Sequence, residues 1–156
     1  MWTSTTAGAA AAAKVEMTTN DQNLMLIDFD PAANEAAEIG FVMPSGWNGG
    51  TLTARFYWIA NSATSNAVVW GCEARSYADG EAVDQAWGAQ VTVTDANAGT
   101  PNQMRVSAVS SPMTPAGTPA SGEYVHFRIR RMATDGADTL AVDARLVGVM
   151  IGFTRL

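Results

Sequence analysis

The chain holds one cysteine, one histidine and one lysine in 156 residues. A lone Cys72 excludes an intrachain disulfide framework and a thiolate metal site. A lone His126 excludes the two-histidine spacings that hold zinc. Basic residues are scarce: Lys14 and eight arginines face fifteen acids, for a formal net charge of −6. Such a chain repels phosphate backbones, so direct nucleic-acid binding is not expected. No apolar run nears the roughly 18 residues that cross a bilayer, and the N-terminus lacks the basic start and leucine-type centre of a secretory signal. No membrane partner is expected. The alanine run from Ala9 to Ala13 reads as part of a flexible or locally helical arm.

Apolar residues are plentiful, at 47% of the chain. The length is that of one domain, which should bury roughly 70% of the surface its unfolded chain exposes. The apolar residues recur at every second position in about eight short segments, the signature of strands with one buried face. The clearest segment places Leu52, Ala54, Phe56 and Trp58 on one face and Thr53, Arg55, Tyr57 and Ile59 on the other. Val68, Trp70 and Cys72 form another inward set, which makes Cys72 a buried, inert thiol. Val125, Phe127 and Ile129 alternate with Tyr124, His126, Arg128 and Arg130, and Val147, Val149, Ile151 and Phe153 share one register in the last strand.

Residues 1–20, rich in Thr, Ala, Ser and Gly, read as an extended arm, and residues 21–156 as the folded domain. Pro44 to Gly50 is a turn signal, and Ser111 to Gly122, with three prolines, reads as an extended loop. Between Tyr77 and Gly88 the period changes. Val83, Ala86 and Trp87 are spaced three and four apart, with Asp79 as N-cap and Gly88 as stop, so one short helix is predicted near residues 79–87. The expected fold is all-β: a two-sheet antiparallel sandwich of about eight strands. A jelly roll is the first architecture and an immunoglobulin-type Greek key the second, the latter weakened by the single cysteine.

Chemistry is hard to find. No nucleophile-elbow pattern accompanies His126, and Gly46, Gly49 and Gly50 lack the helix and Lys-Ser/Thr of a phosphate loop. Asp28 and Asp30 share a strand face, and Asp135, Asp138 and Asp143 cluster near a turn, but neither set matches a calcium loop. Strand-ending and turn-forming roles account for them. The chain is expected to be non-enzymatic, with no cofactor, no metal and no catalytic residue. Of five tryptophans, Trp58 and Trp70 sit on inward positions, whereas Trp47 in a Gly-rich turn and Trp2 in the arm are expected to be accessible.

Four stretches carry a family likeness: Thr19-Asn20-Asp21 with Leu26 to Asp30; Phe41 to Thr51; Val68-Val69-Trp70-Gly71; and Ala137 to Val149. Together they resemble a family of small structural β-sandwich domains of tailed bacteriophages, over about residues 17–154. The resemblance implies a virion component, usually oligomeric, and carries over no active-site residue. The short arm, in place of a long stalk, favours a capsid decoration (cement) or head-fibre subunit, expected as a homotrimer bound to the major capsid protein. Trp2, Lys14, Arg128 and Arg130 are the candidate assembly contacts. The alternative is a tail-fibre or tail-tip module that binds a host-surface glycan through Trp47, Tyr57 and Tyr77. A glycan depolymerase is the third reading, disfavoured by one histidine and unpaired acids.

Overall fold

The structure is a computed structural model that describes residues 2–4 and 8–156. Among the described residues it is all-β, with ten strands: β1 (Thr3–Ser4), β2 (Ala13–Met17), β3 (Gln22–Phe29), β4 (Glu35–Val42), β5 (Trp47–Ile59), β6 (Ala67–Tyr77), β7 (Val91–Ala96), β8 (Arg105–Val106), β9 (Tyr124–Arg131) and β10 (Ala144–Arg155). They form two five-stranded sheets. Sheet I has the order β1-β4-β9-β6-β7, and sheet II the order β2-β3-β10-β5-β8. All neighbours are antiparallel.

The pairing is nested. β6 pairs with β7, β5 with β8, β4 with β9 and β3 with β10, so the chain folds back on itself as one long ribbon. That ribbon divides between the two sheets, and cross-pairs β6–β9 and β5–β10 knit it into a sandwich.

The core follows the alternation. Leu52, Ala54, Phe56 and Trp58 of β5 face Val68, Trp70 and Cys72 of β6 and Val125, Phe127 and Ile129 of β9, all within 1% of complete burial. Trp70 is central: Phe56 stacks on it at 5.6 Å, while Phe29 and Trp58 meet it edge-on at 5.3 and 6.1 Å. Fully buried aromatics of this size supply much of the apolar area removed from water. In β10 a register shift between Leu146 and Gly148 divides the inward set. Ala144 and Leu146 point in before it, and Val149, Ile151 and Phe153 pack on the core after it. The single register expected for this strand therefore starts only beyond the bulge.

Three expectations are corrected. First, there is no helix at residues 79–87; the segment from Ala78 to Gln90 is an irregular strap over the outer face of sheet I. The helical spacing of Val83 and Trp87 does not create a common buried face, because Val83 is 78% exposed while Trp87 lies against β9. Arg75 takes the Ala86 carbonyl and the Gln85 side-chain oxygen, which holds this backbone away from an intrahelical ladder. Gly88 is no helix stop. Its N–H donates to Ala74 O, and a Cβ there would sit 2.5 Å from Thr114 O, so only glycine fits between these backbones.

Second, residues 1–20 do more than form an arm. Thr3–Ser4 pairs with β4 and Ala13–Met17 with β3, each as an edge strand, and Ala9 is buried in the core. Residues 1 and 5–7 of that segment lie outside the described residues. Third, not every alternating segment becomes a full strand: Met104, Val106 and Ala108 alternate too, yet β8 there is two residues long. Beyond it the hydroxyls of Ser107 and Ser110 accept from Phe56 N and Ala54 N, at 3.0 and 2.9 Å, and extend the edge of β5 without a regular ladder.

Candidate functional site: the two outer sheet faces

With the inner faces consumed by the core, the chemistry of this chain lies on the outer faces. On sheet I the outward residues are Glu38 and Gly40 of β4, Tyr124, His126, Arg128 and Arg130 of β9, and Glu73, Arg75 and Tyr77 of β6. Registers Glu73–Arg128 and Arg75–His126 set them side by side. The strap lays Trp87 across them. The Arg128 guanidinium sits 4.7 Å from the Trp87 ring centre, and the His126 ring 5.2 Å from it. His126 in turn neighbours Tyr124 at 6.1 Å, and Tyr124 neighbours Tyr77 at 6.4 Å. The four rings make a continuous aromatic row, with Tyr124 41% exposed.

Charged groups lock the row. Glu73, buried, accepts from Arg128 Nε and lies 3.6 Å from Arg130 Nη1. Glu38 lies 3.5 Å from His126 Nε2. Arg75 lies over the Tyr77 ring at 5.4 Å, and the Tyr77 hydroxyl donates to Val83 O at 2.6 Å. Burial raises the Tyr77 hydroxyl above its ordinary pKa, and the Arg75 charge offsets part of that rise. Aromatic faces framed by guanidinium and carboxylate groups suit ligands with apolar ring faces and hydroxyl edges. Among the described residues no hydroxyl or thiol nucleophile is hydrogen-bonded to His126, and no group of three His, Cys, Asp or Glu side chains converges.

The outer face of sheet II differs. Val106 of β8 pairs with Tyr57 of β5, and Met150 of β10 pairs with Arg55. Met104, Val106 and Met150 are each more than 40% exposed. At one corner Arg145 lies 3.5 Å from Asp28, whose carboxyl burial raises above the usual range against the opposing pull of Arg145. At one end a shallow depression of about 350 Å³ is lined by threonines 51, 53 and 154 with Pro112, Gly152 and Phe153.

The expected site residues do not gather. Trp47 is fully buried at the start of β5, so its turn signal hid a core side chain. Tyr57 and Tyr77, both half-buried, lie on opposite outer faces. Trp2 is half-buried against the core rather than extended from it, and Lys14 is exposed on edge strand β2. Arg128 and Arg130 do come together, both on Glu73. Missed in the sequence were Trp87, Tyr124 and Glu73. Tyr124 shares the parity of His126 and Arg128, so alternation alone could have found it. Asp135 and Asp30 accept from Ala137 N and Ala32 N and so build turns, and Asp138 binds Arg131. No protein-family model and no curated protein matches this chain.

Proposed function

We propose that this protein is a non-enzymatic structural protein of a tailed-bacteriophage virion, a capsid decoration or head-fibre subunit that binds the capsid surface and self-associates as a homotrimer. The nested ribbon of β3 to β10 is read as a jelly roll. The single observation that carries the reading is the outer face of sheet II, where exposed Val106 pairs with Tyr57 and exposed Met150 with Arg55, and exposed Met104 directly precedes β8. Exposed apolar side chains grouped on one sheet face mark an interaction site. The family resemblance supplies the partner: the protein is made in the host cytoplasm and assembles on the particle with the major capsid protein. Weak single contacts suffice there, because many copies on one shell raise effective concentration. Co-sedimentation of the full chain with capsid shells that lack it tests the reading. Saturable binding at a fixed copy number supports it; protein that stays in the supernatant at every concentration refutes it.

A second reading is favoured by the aromatic row of sheet I: a tail-fibre or tail-tip module that recognises a host-surface glycan. Trp87 and Tyr124 replace Trp47 as the stacking residues, since Trp47 is enclosed. Glycan-array binding that is lost in Trp87→Ala and retained in Lys14→Ala supports this reading, and an array without signal refutes it.

A further inference from the structure

The strap of sheet I and the outer face of sheet II are complementary in charge, and each exposes apolar side chains. The loop Ala78–Asp84 projects from the end of β6. It carries Val83, 78% exposed, with Asp79, Glu81 and Asp84 close by in sequence and all exposed. No ion pair among the described residues uses these acids. The sequence has no basic residue between Arg75 and Arg105, and Arg75 donates to Ala86 O and Gln85 rather than to these acids. The loop is nonetheless held in shape: the Tyr77 hydroxyl donates to Val83 O at 2.6 Å, and Ala78 N to the Glu81 carboxylate at 3.2 Å. It is an exposed apolar side chain among acids, ordered before any partner arrives.

The outer face of sheet II offers the reverse. Arg55 stands beside Met150 and one residue pair from Tyr57 and Val106. It takes part in no ion pair among the described residues, and its Nε is buried without an acceptor. A guanidinium on a residue paired with a methionine, with no carboxylate partner and a buried Nε that has no acceptor, is incompletely satisfied. The loop and this face lie on opposite sides of the sandwich, so one copy cannot bring its own loop to its own Arg55.

From this complementarity we infer that the loop Ala78–Asp84 of one copy docks on the outer face of sheet II of the next, with Val83 seated among Tyr57, Val106 and Met150 and the loop's acids on Arg55. The contact joins two different patches, so it is heterologous. It closes into a ring when the rotation permits and otherwise extends as a filament. The inference rests on the self-association proposed above and names the surfaces that perform it.

Sedimentation velocity of the full chain over a concentration series is the test, with near-ultraviolet circular dichroism confirming that each variant is folded. Arg55→Glu and Val83→Asp are each expected to weaken association about tenfold or more. Asp84→Arg alone also weakens it, and the double variant Arg55→Glu/Asp84→Arg recovers most of the loss by restoring opposite charges. Raising the salt concentration weakens the wild-type contact in the same direction. Val83 is solvated, so its variant folds even where a change at Arg55 disturbs the sheet. Wild-type association that persists unchanged in both Val83→Asp and Arg55→Glu overturns the inference while leaving self-association standing. A wild-type chain that is monomeric throughout the series refutes self-association itself.

Discussion

Arg131 and Asp138 form a closed ion pair at one end of the sandwich, with Nη2 2.8 Å from Oδ1 and Nε 3.1 Å from Oδ2. Both side chains are almost completely shielded from water, at 0% and 2% exposure. The remaining guanidinium N–H groups donate to Phe29 O, Val142 O and Leu140 O, so all five donors are used. Asp138 also accepts from Val69 N at 3.1 Å. The pair thus ties β9 to the end of β3, to β6 and to the loop before β10.

Removing one partner strands the other charge without solvent. Arg131→Met or Asp138→Leu is expected to lower stability by about 3–5 kcal/mol, measured by urea unfolding. The double variant Arg131→Met/Asp138→Leu is expected to lose less than the two single losses combined. Additive losses would mean that the pair is not coupled.

Trp87 holds the strap to sheet I from outside. Trp87→Ala removes its contact with Arg128 and is expected to cost about 0.5–2 kcal/mol. The local signature matters more than the size: amide exchange at Gly88 should accelerate while exchange at Cys72 and Ile129 stays slow. Uniform acceleration across the core would show that Trp87 supports the whole sandwich and not only the strap.

Asp28 gives a pH dependence of definite sign. Burial lifts its pKa, Arg145 lowers it in part, and Asp143 adds to the rise. A carboxyl that holds its proton more tightly folded than unfolded makes stability fall as pH rises from the unfolded pKa through the folded one. Asp28→Asn removes that slope. Relative to wild type, the variant should therefore be most favourable above this window and lose its advantage as pH falls below it. Chemical unfolding at several pH values checks this, and an advantage that grows toward acid contradicts it.

Cys72 is fully buried, and burial, with the neighbouring Glu73 carboxylate, pushes its thiol well above the ordinary range. A thiol-specific disulfide reagent should label the native protein only at the rate of unfolding, and label the denatured protein at once. Fast native labelling would place Cys72 on an opening segment.

Alternation made β5, β9, the later half of β10 and the inward set of β6 legible, because a buried face writes itself directly into every second residue. It failed where a strand is covered on both sides. Val69, Gly71, Glu73 and Arg75 of β6 are all buried, since the strap and the side chains of β9 roof the face that parity assigns to solvent. Roofing by a distant segment leaves no periodic trace. Trp47 and Trp87 were misplaced for related reasons. Glycine-rich surroundings suggested an open turn at Trp47, and helical spacing suggested a helix at Trp87; tertiary contacts decided both. The edge strands at Thr3–Ser4 and Ala13–Met17 have too little apolar patterning to announce themselves, because they add backbone pairing more than buried side chains. The aromatic row was hidden because its members come from β6, β9 and the strap, and only the register between them brings them together.

Methionine footprinting tests the proposed contact face directly. Met150 lies on the outer face of sheet II and Met104 directly precedes β8 at its edge, each 45% exposed, whereas Met43 and Met113 are at most 2% exposed and serve as internal controls. Peroxide converts accessible methionine to its sulfoxide. If that face is the contact surface, Met104 and Met150 should oxidise readily in dilute, dissociated protein and become protected in the assembled, shell-bound form, with Met43 and Met113 unreactive in both. Equal oxidation of Met104 and Met150 in the two states would contradict the account.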